Sequence, residues 1–279
     1  MFFYALWNLL YYGENFSYNK YMTTVLIKPE MFFAVDSKWT SKLGIELVSH
    51  TVTKFLNRSD VIGVYAGDEL PIVLHQALLS KALSPNEYIE NNLRLNNLNS
   101  NFKPEDQFSY ESTILCFPTG VIKTSSAQQP SFPIDLFYQG TGGKHAADFY
   151  YYSHKKPFLS AKGCNILGAM YYAFHKDMLY SGGSITKVEW KGSTQNISNL
   201  VALTELYKTT LKERIEELFM YHENQLSASA VKAVSSSAPH AVRKIITPPL
   251  RTGSGEFAAK TSLSRAVNTV KELQELGLI

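Results

Sequence analysis

Cysteine is scarce in this chain. Its two residues, Cys116 and Cys164, stand far apart and form no CxxC pair, which argues against a disulfide framework or a zinc site and fits a reducing cytoplasm. Blocks of like charge are also missing. The 27 basic and 24 acidic residues give a formal charge of +3 and are scattered, so no basic stripe marks a nucleic-acid surface. No run approaches the roughly 18 apolar residues of a membrane span. The apolar opening MFFYALWNLLYY has no basic residue before it and no small-residue cleavage site after it, so it is a poor signal peptide. A soluble protein without membrane or nucleic-acid partners is expected. The seven histidines show no HExxH or other ligand spacing, and no metal or other cofactor is implied.

With 45% hydrophobic residues in 279, the chain can bury one sizeable core. From Thr23 to about Trp190 short strand-like runs alternate with helical ones. TVLI and MFFAV read as a hairpin turned at Lys28-Pro29-Glu30-Met31, since proline suits the second position of a tight turn and is excluded from a central ladder. VIGVYAG (61–67) is a further strand, followed by the helix-like PIVLHQALLSKAL. After a polar, Asn-rich stretch (91–102), STILCF and VIKTS flank the turn signal Pro118-Thr119-Gly120. IDLFYQG runs into the small-residue turn Gly140-Thr141-Gly142-Gly143, and KHAADFYYYSH and NILGAMYYAFHKDML read as helices before the alternating strand SITKVEW. Strand pairs, a helix pair and a strand again is the order of an antiparallel α+β fold.

Beyond it lies an amphipathic helix from about Ile197 to Glu223, then a Ser-, Ala-, Pro- and Gly-rich linker (226–262) and a short closing helix (263–276). The long helix carries Leu200, Leu203, Leu206, Tyr207, Leu211, Ile215 and Leu218 at three-to-four spacing, a stripe that either its own core or a neighbouring subunit must cover.

Chemistry is suggested first by the hairpin. With Pro29 and Glu30 as its central pair, Thr23 falls opposite Asp36. GTGGKH invites a phosphate-loop reading, but His145 stands where that loop needs Ser or Thr, so nucleotide binding is not supported. TTVLI, Asp36-Ser37-Lys38-Trp39-Thr40, Lys54 ahead of VIGVYAG, the GTGG turn and Asp177-x-x-x-Ser181-Gly182-Gly183 occur in one order and spacing. Over residues 23 to 190 that order resembles proteasome β-subunits and HslV, the bacterial proteasome-like peptidase.

The resemblance implies an N-terminal-nucleophile hydrolase with a four-layer αββα sandwich of antiparallel sheets, here with a helical C-terminal extension. A threonine exposed as first residue would attack a peptide carbonyl and use its own α-amine, which titrates near pH 8, as base. Thr23 matches that nucleophile. Asp36 and Lys54 match the acid and the lysine beneath it, Thr141 stands where serine is frequent, and Asp177 and Ser181 match the pair supporting the amine. Gly67 matches the oxyanion glycine, while Trp39 and Thr40 match substrate-binding positions, with Trp39 narrowing the first specificity pocket toward small side chains. The first hairpin is about three residues shorter than is usual in the family, which leaves Thr24 open as nucleophile. Lys54 sits one place off a gap-free fit, and Asp177 and Ser181 are one residue further apart than usual.

Residues 1–22 precede Thr23, so they are expected to be a leader that is removed, or Met22 is the true start and ordinary methionine removal exposes the threonine. Residues 23–195 would be the hydrolase domain, 196–225 the long helix, 226–262 the linker and 263–279 the closing segment. The resemblance also implies a cytoplasmic homo-oligomeric ring, acting on peptides or unfolded protein and fed by an ATP-dependent unfoldase. The C-terminal helices would support contacts within or between rings. A chain that kept the fold as a non-catalytic scaffold is the alternative.

Overall fold

The computed structural model describes residues 23–29, 31–40, 52–103, 106–117, 122–125, 136–155, 165–189, 203–235 and 252–279. Among them the strands are β1 (Val25–Lys28), β2 (Phe32–Asp36), β3 (Phe55–Arg58), β4 (Val61–Gly67), β5 (Tyr110–Cys116), β6 (Ile122–Ser125), β7 (Phe137–Gln139) and β8 (Ile185–Glu189). The helices are α1 (Glu69–Leu79), α2 (Pro85–Asn99), α3 (Gly143–His154), α4 (Asn165–Lys176), α5 (Glu205–Ser235) and α6 (Thr252–Glu275). Two four-stranded sheets result, ordered β7-β1-β2-β8 and β3-β4-β5-β6, with every pairing antiparallel. The α+β class expected from the element order is the class observed.

Alternation along the strands divides the core into three apolar clusters. Val25, Ile27, Phe33 and Val35 of one sheet meet Ile62, Val64, Ala66 and Leu115 of the other. The opposite face of the first sheet, with Leu26, Phe32 and Ala34, packs against α3 and α4. The opposite face of the second, with Leu56, Val61 and Tyr65, packs against α1, α2, α5 and α6. This is what period-2 strands do when both faces are covered.

The first hairpin turns where proline placed it, with Met31 N–H donating to Lys28 O at 3.1 Å. Its connection is three residues rather than two, so Lys28 pairs with Phe32 and Val25 with Val35. The register is shifted by one from the expected pairing, and Thr24, not Thr23, faces Asp36, whose N–H donates to Thr24 O at 3.2 Å.

Helix α2 occupies the stretch that looked polar and Asn-rich. Its start carries a reciprocal cap: Glu87 N–H donates to Ser84 Oγ, Ser84 N–H donates to the Glu87 carboxylate, and Pro85 takes the first turn.

The C-terminal extension differs from expectation in the bounds of its helices. Helix α5 starts at Glu205 and runs to Ser235, and α6 starts at Thr252, so both enter the stretch read as a linker. Residues 236–251 lie outside the described residues. Most of the apolar stripe is covered by its own chain: Leu211, Ile215, Leu218 and Phe219 are buried in the cluster that holds α1, Leu203 and Tyr207 pack partly buried against it, and Leu206 stands exposed. The cause is α1 itself, all eleven of whose residues are buried. A helix without a solvent face needs a second layer outside it, and α5 supplies one, fastened by the Tyr207 hydroxyl on Gln76 Oε1 (2.9 Å) and by Arg214 on Glu69 (2.7 and 3.0 Å).

His75 on α1 is fully enclosed, with Nδ1 3.2 Å from the Tyr65 hydroxyl. Burial pulls its pKa down to about 4. The folded state therefore holds the ring neutral while the unfolded chain binds a proton below about pH 6.5, and stability present above that pH is lost as pH falls toward 4. The loss should reach about 3 kcal/mol. Urea titrations at pH 7 and pH 4.5 should show it in the wild type, and His75→Phe should lack that component.

Candidate active site

The ends of several elements converge at one rim of the two sheets. Thr23 and Thr24 lead into β1, Asp36 closes β2, and Lys54 immediately precedes β3, where its carbonyl accepts Tyr65 N–H at 2.9 Å. The β7–α3 turn contributes 140–143, and the α4–β8 turn contributes 177–184.

Lys54 is the centre of this group. It is 2% exposed, and its Nζ donates to Thr23 Oγ1 at 2.6 Å, to Asp36 Oδ1 at 2.8 Å and to the carbonyl of Lys38. Three acceptors around one nitrogen match the three N–H bonds of an ammonium. Burial pulls Lys54 below the usual lysine range, opposed by Asp36, and burial pushes Asp36 up to about 6, opposed by Lys54. The pairing geometry is that of the ionised pair, since Asp36 Oδ2 also accepts Gly182 N–H at 3.2 Å.

A second network lies on the other side of Thr24. Thr24 Oγ1 donates to Ser181 Oγ at 2.8 Å, Ser181 Oγ donates to Asp177 Oδ2 at 2.7 Å, and Thr141 Oγ1 donates to the same carboxylate oxygen. Gly142 is closed to any side chain, because a Cβ there would overlap Thr24 Oγ1 and Ser181 Oγ. The 181–184 turn is stitched to the end of β2: Lys38 N–H donates to Gly182 O at 3.2 Å, Ser37 N–H to Ser184 O at 2.9 Å.

The structure thus brings Thr23, Asp36 and Lys54 into one contact set, and Thr141, Asp177 and Ser181 into another that reaches Thr24. Gly67 ends β4 beside the Lys54–Tyr65 pairing, paired with Tyr110 across the ladder. Trp39 is buried at 4% within the larger cluster, its Nε1 donating to Val52 O at 3.3 Å and its ring 5.0 Å from Lys54 Nζ. Thr40 is half-buried beyond it.

Four further groups join the site beyond the residues the sequence pointed to. The Lys38 carbonyl and the Gly182 N–H are backbone groups that any residue supplies. Thr24 meets Ser181 through its hydroxyl, a contact that its place in the sequence does not announce. Glu111, whose Oε2 accepts Gly140 N–H at 2.9 Å, did carry a signal: it is a charged residue at the same parity as Leu115 and Phe117, which join the intersheet cluster. Among the described residues no group of His, Cys, Asp and Glu has metal-binding geometry, and no helix is long and apolar enough to cross a membrane.

No family model matches the chain, and no curated protein matches it. Solved structures do align with it. Eukaryotic HslV from Trypanosoma brucei is 15% identical, with 61% of this chain and 98% of that one covered at a TM-score of 0.38. BPH from Thiobacillus denitrificans is 16% identical over 61% and 98%, at 0.37. Anbu, the ancestral beta-subunit from Yersinia bercovieri, is 14% identical over 79% and 100%, at 0.38. Likeness at this level assigns no activity, and the functional reading rests on side-chain geometry.

The buried pair makes its own prediction. Asp36→Asn strands a buried ammonium and should cost about 3 kcal/mol, whereas Asp36→Asn combined with Lys54→Met removes the charge and should regain most of that loss. Urea unfolding of Asp36→Asn, Lys54→Met and the double variant checks it; a double variant as unstable as the sum of the singles contradicts the ionised pair.

Proposed function

We propose that the chain is a threonine-type peptidase of the proteasome and HslV kind, with Thr23 as nucleophile. The observation that carries this is the Lys54 ammonium, 2.6 Å from Thr23 Oγ1 and anchored by Asp36 at 2.8 Å. A buried cation donating to a hydroxyl oxygen lowers that oxygen's proton affinity, which is what a weak nucleophile requires. Thr24 lacks this setting, since its hydroxyl is turned to Ser181.

In the uncut chain the nitrogen of Thr23 is an amide without basicity. The reaction needs residues 1–22 absent, through removal of a leader or a start at Met22 followed by removal of that methionine. The freed amine then takes the hydroxyl proton as Oγ1 bonds to the peptide carbonyl carbon. The proton passes to the leaving nitrogen as the C–N bond breaks, and water releases the acyl group from Oγ1. Gly67 N–H is assigned to the developing oxyanion. Thr141, Asp177 and Ser181 are assigned to holding the amine. Trp39, filling the space beside Lys54, favours small side chains before the scissile bond, and Thr40 lines the substrate path. We assign the two sheets and the helices on their outer faces to a four-layer αββα sandwich, and the working form to a cytoplasmic homo-oligomeric ring that admits peptides or unfolded chains from an ATP-dependent unfoldase.

One observation favours a second reading. The relay from Asp177 through Ser181 ends on Thr24, one residue along from the nucleophile. A chain that keeps residues 1–22 with this wiring is a non-catalytic scaffold. Intact mass of the protein from its native host separates the two: a species beginning at Thr23 supports the peptidase, and one beginning at Met1 alone supports the scaffold. On protein begun at Met22, Thr23→Ala should lose at least about a thousandfold in kcat on fluorogenic peptides, while Thr23→Ser keeps measurable turnover. Equal turnover by wild type and Thr23→Ala overturns the assignment.

A further inference from the structure

Glu111 is a carboxylate where the fold asks for an apolar residue. It begins the core-facing row of β5 that continues through Thr113, Leu115 and Phe117, and it is 2% exposed. Among the described residues no ion pair holds it. Its Oε2 accepts the N–H of Gly140 at 2.9 Å, and beside it Gln139 Nε2 donates to Thr113 Oγ1 at 3.1 Å. Gly140 has φ +77, and a Cβ there would overlap the carbonyl of Thr23. Two residues on, Gly142 N–H donates to that same carbonyl at 3.2 Å. The turn between them carries Thr141, whose hydroxyl is held by Asp177.

The contacts form one line, from the Glu111 carboxylate through the Gly140–Gly143 turn to the main chain of Thr23. We propose that Glu111 is a positioning residue for Thr23, acting through this turn; the role rests on the reading of Thr23 as nucleophile. Glu111 touches no reacting atom. It supplies the acceptor for the Gly140 N–H, and a turn deprived of that acceptor leaves a partly buried donor unpaired and shifts to find another. Displacement of a reacting group by about 1 Å is enough to lose about a hundredfold in rate.

The choice of variants follows from the chemistry. Burial pushes the Glu111 carboxyl up to about 7, so near neutrality a neutral acceptor replaces it well, and Glu111→Gln is the conservative change. Glu111→Leu keeps the volume, suits the apolar row and removes the acceptor; Glu111→Ala takes its place if the leucine variant does not fold. Protein begun at Met22 and otherwise entire is assayed with a fluorogenic peptide, and amide hydrogen exchange is followed at 140–143.

Glu111→Leu should lose about a hundredfold in kcat with KM within twofold and should exchange faster at 140–143. Glu111→Gln should restore kcat to within about threefold and restore the protection. Wild-type kcat and protection in Glu111→Leu overturn the proposal, and so does equal impairment of the glutamine and leucine variants. If no protein turns substrate over, or Thr23→Ala equals the wild type, the peptidase reading fails instead. The exchange arm then decides the positioning role alone: protection lost in leucine and regained in glutamine upholds it, and protection kept in leucine overturns it.

Discussion

A lysine ammonium enclosed between a threonine hydroxyl, a carboxylate and a backbone carbonyl is the constraint from which the rest of the site follows. Its charge is tolerable out of water because Asp36 and the Lys38 carbonyl are both within hydrogen-bond reach. Those two groups belong to the end of β2 and the residues just after it, so the path of the chain there cannot drift. Asp36 in turn needs a second donor, which Gly182 N–H supplies, and this draws the α4–β8 turn against β2. That turn brings Ser181 to Thr24 and Asp177 to Thr141. One buried charge thereby fixes three chain segments and the hydroxyl it faces.

How much of this was readable depended on whether the information was periodic, local or spatial. The strands were legible because both faces of each sheet are covered and the apolar runs are long for their length. The register of the first hairpin was not, because one extra residue in the turn shifts every cross-strand pair and leaves the composition unchanged. Helix α2 was hidden by its asparagines, although Ser84-Pro85-x-Glu87 announced its start. The apolar stripe of α5 was visible. What covers it was not, since a sequence does not say that α1 is buried on all sides. The approach of Thr23, Asp36 and Lys54 to one another came from a resemblance in order and spacing; composition and periodicity carry no distance between residues 31 apart. Glu111 is hidden because a lone charge in a strand ordinarily faces solvent, although its parity places it in the core-facing row.

The contacts at the site cross between sheets in a way that the hydrophobic layer between them does not. Lys54 extends β3 of one sheet, and its acceptors Thr23 and Asp36 belong to the other. Glu111 and Thr113 lie on β5, and their partners Gly140 and Gln139 lie on or just after β7 of the facing sheet. The intersheet layer beyond them is Val, Ile, Leu and Phe, whose attraction is non-directional and tolerates sliding. Among the described residues the polar contacts that tie the two sheets therefore gather at one rim. Directional bonds gathered at one rim resist sliding there more than the apolar layer does, so the geometry around Thr23 is the part of the intersheet contact best held against shear.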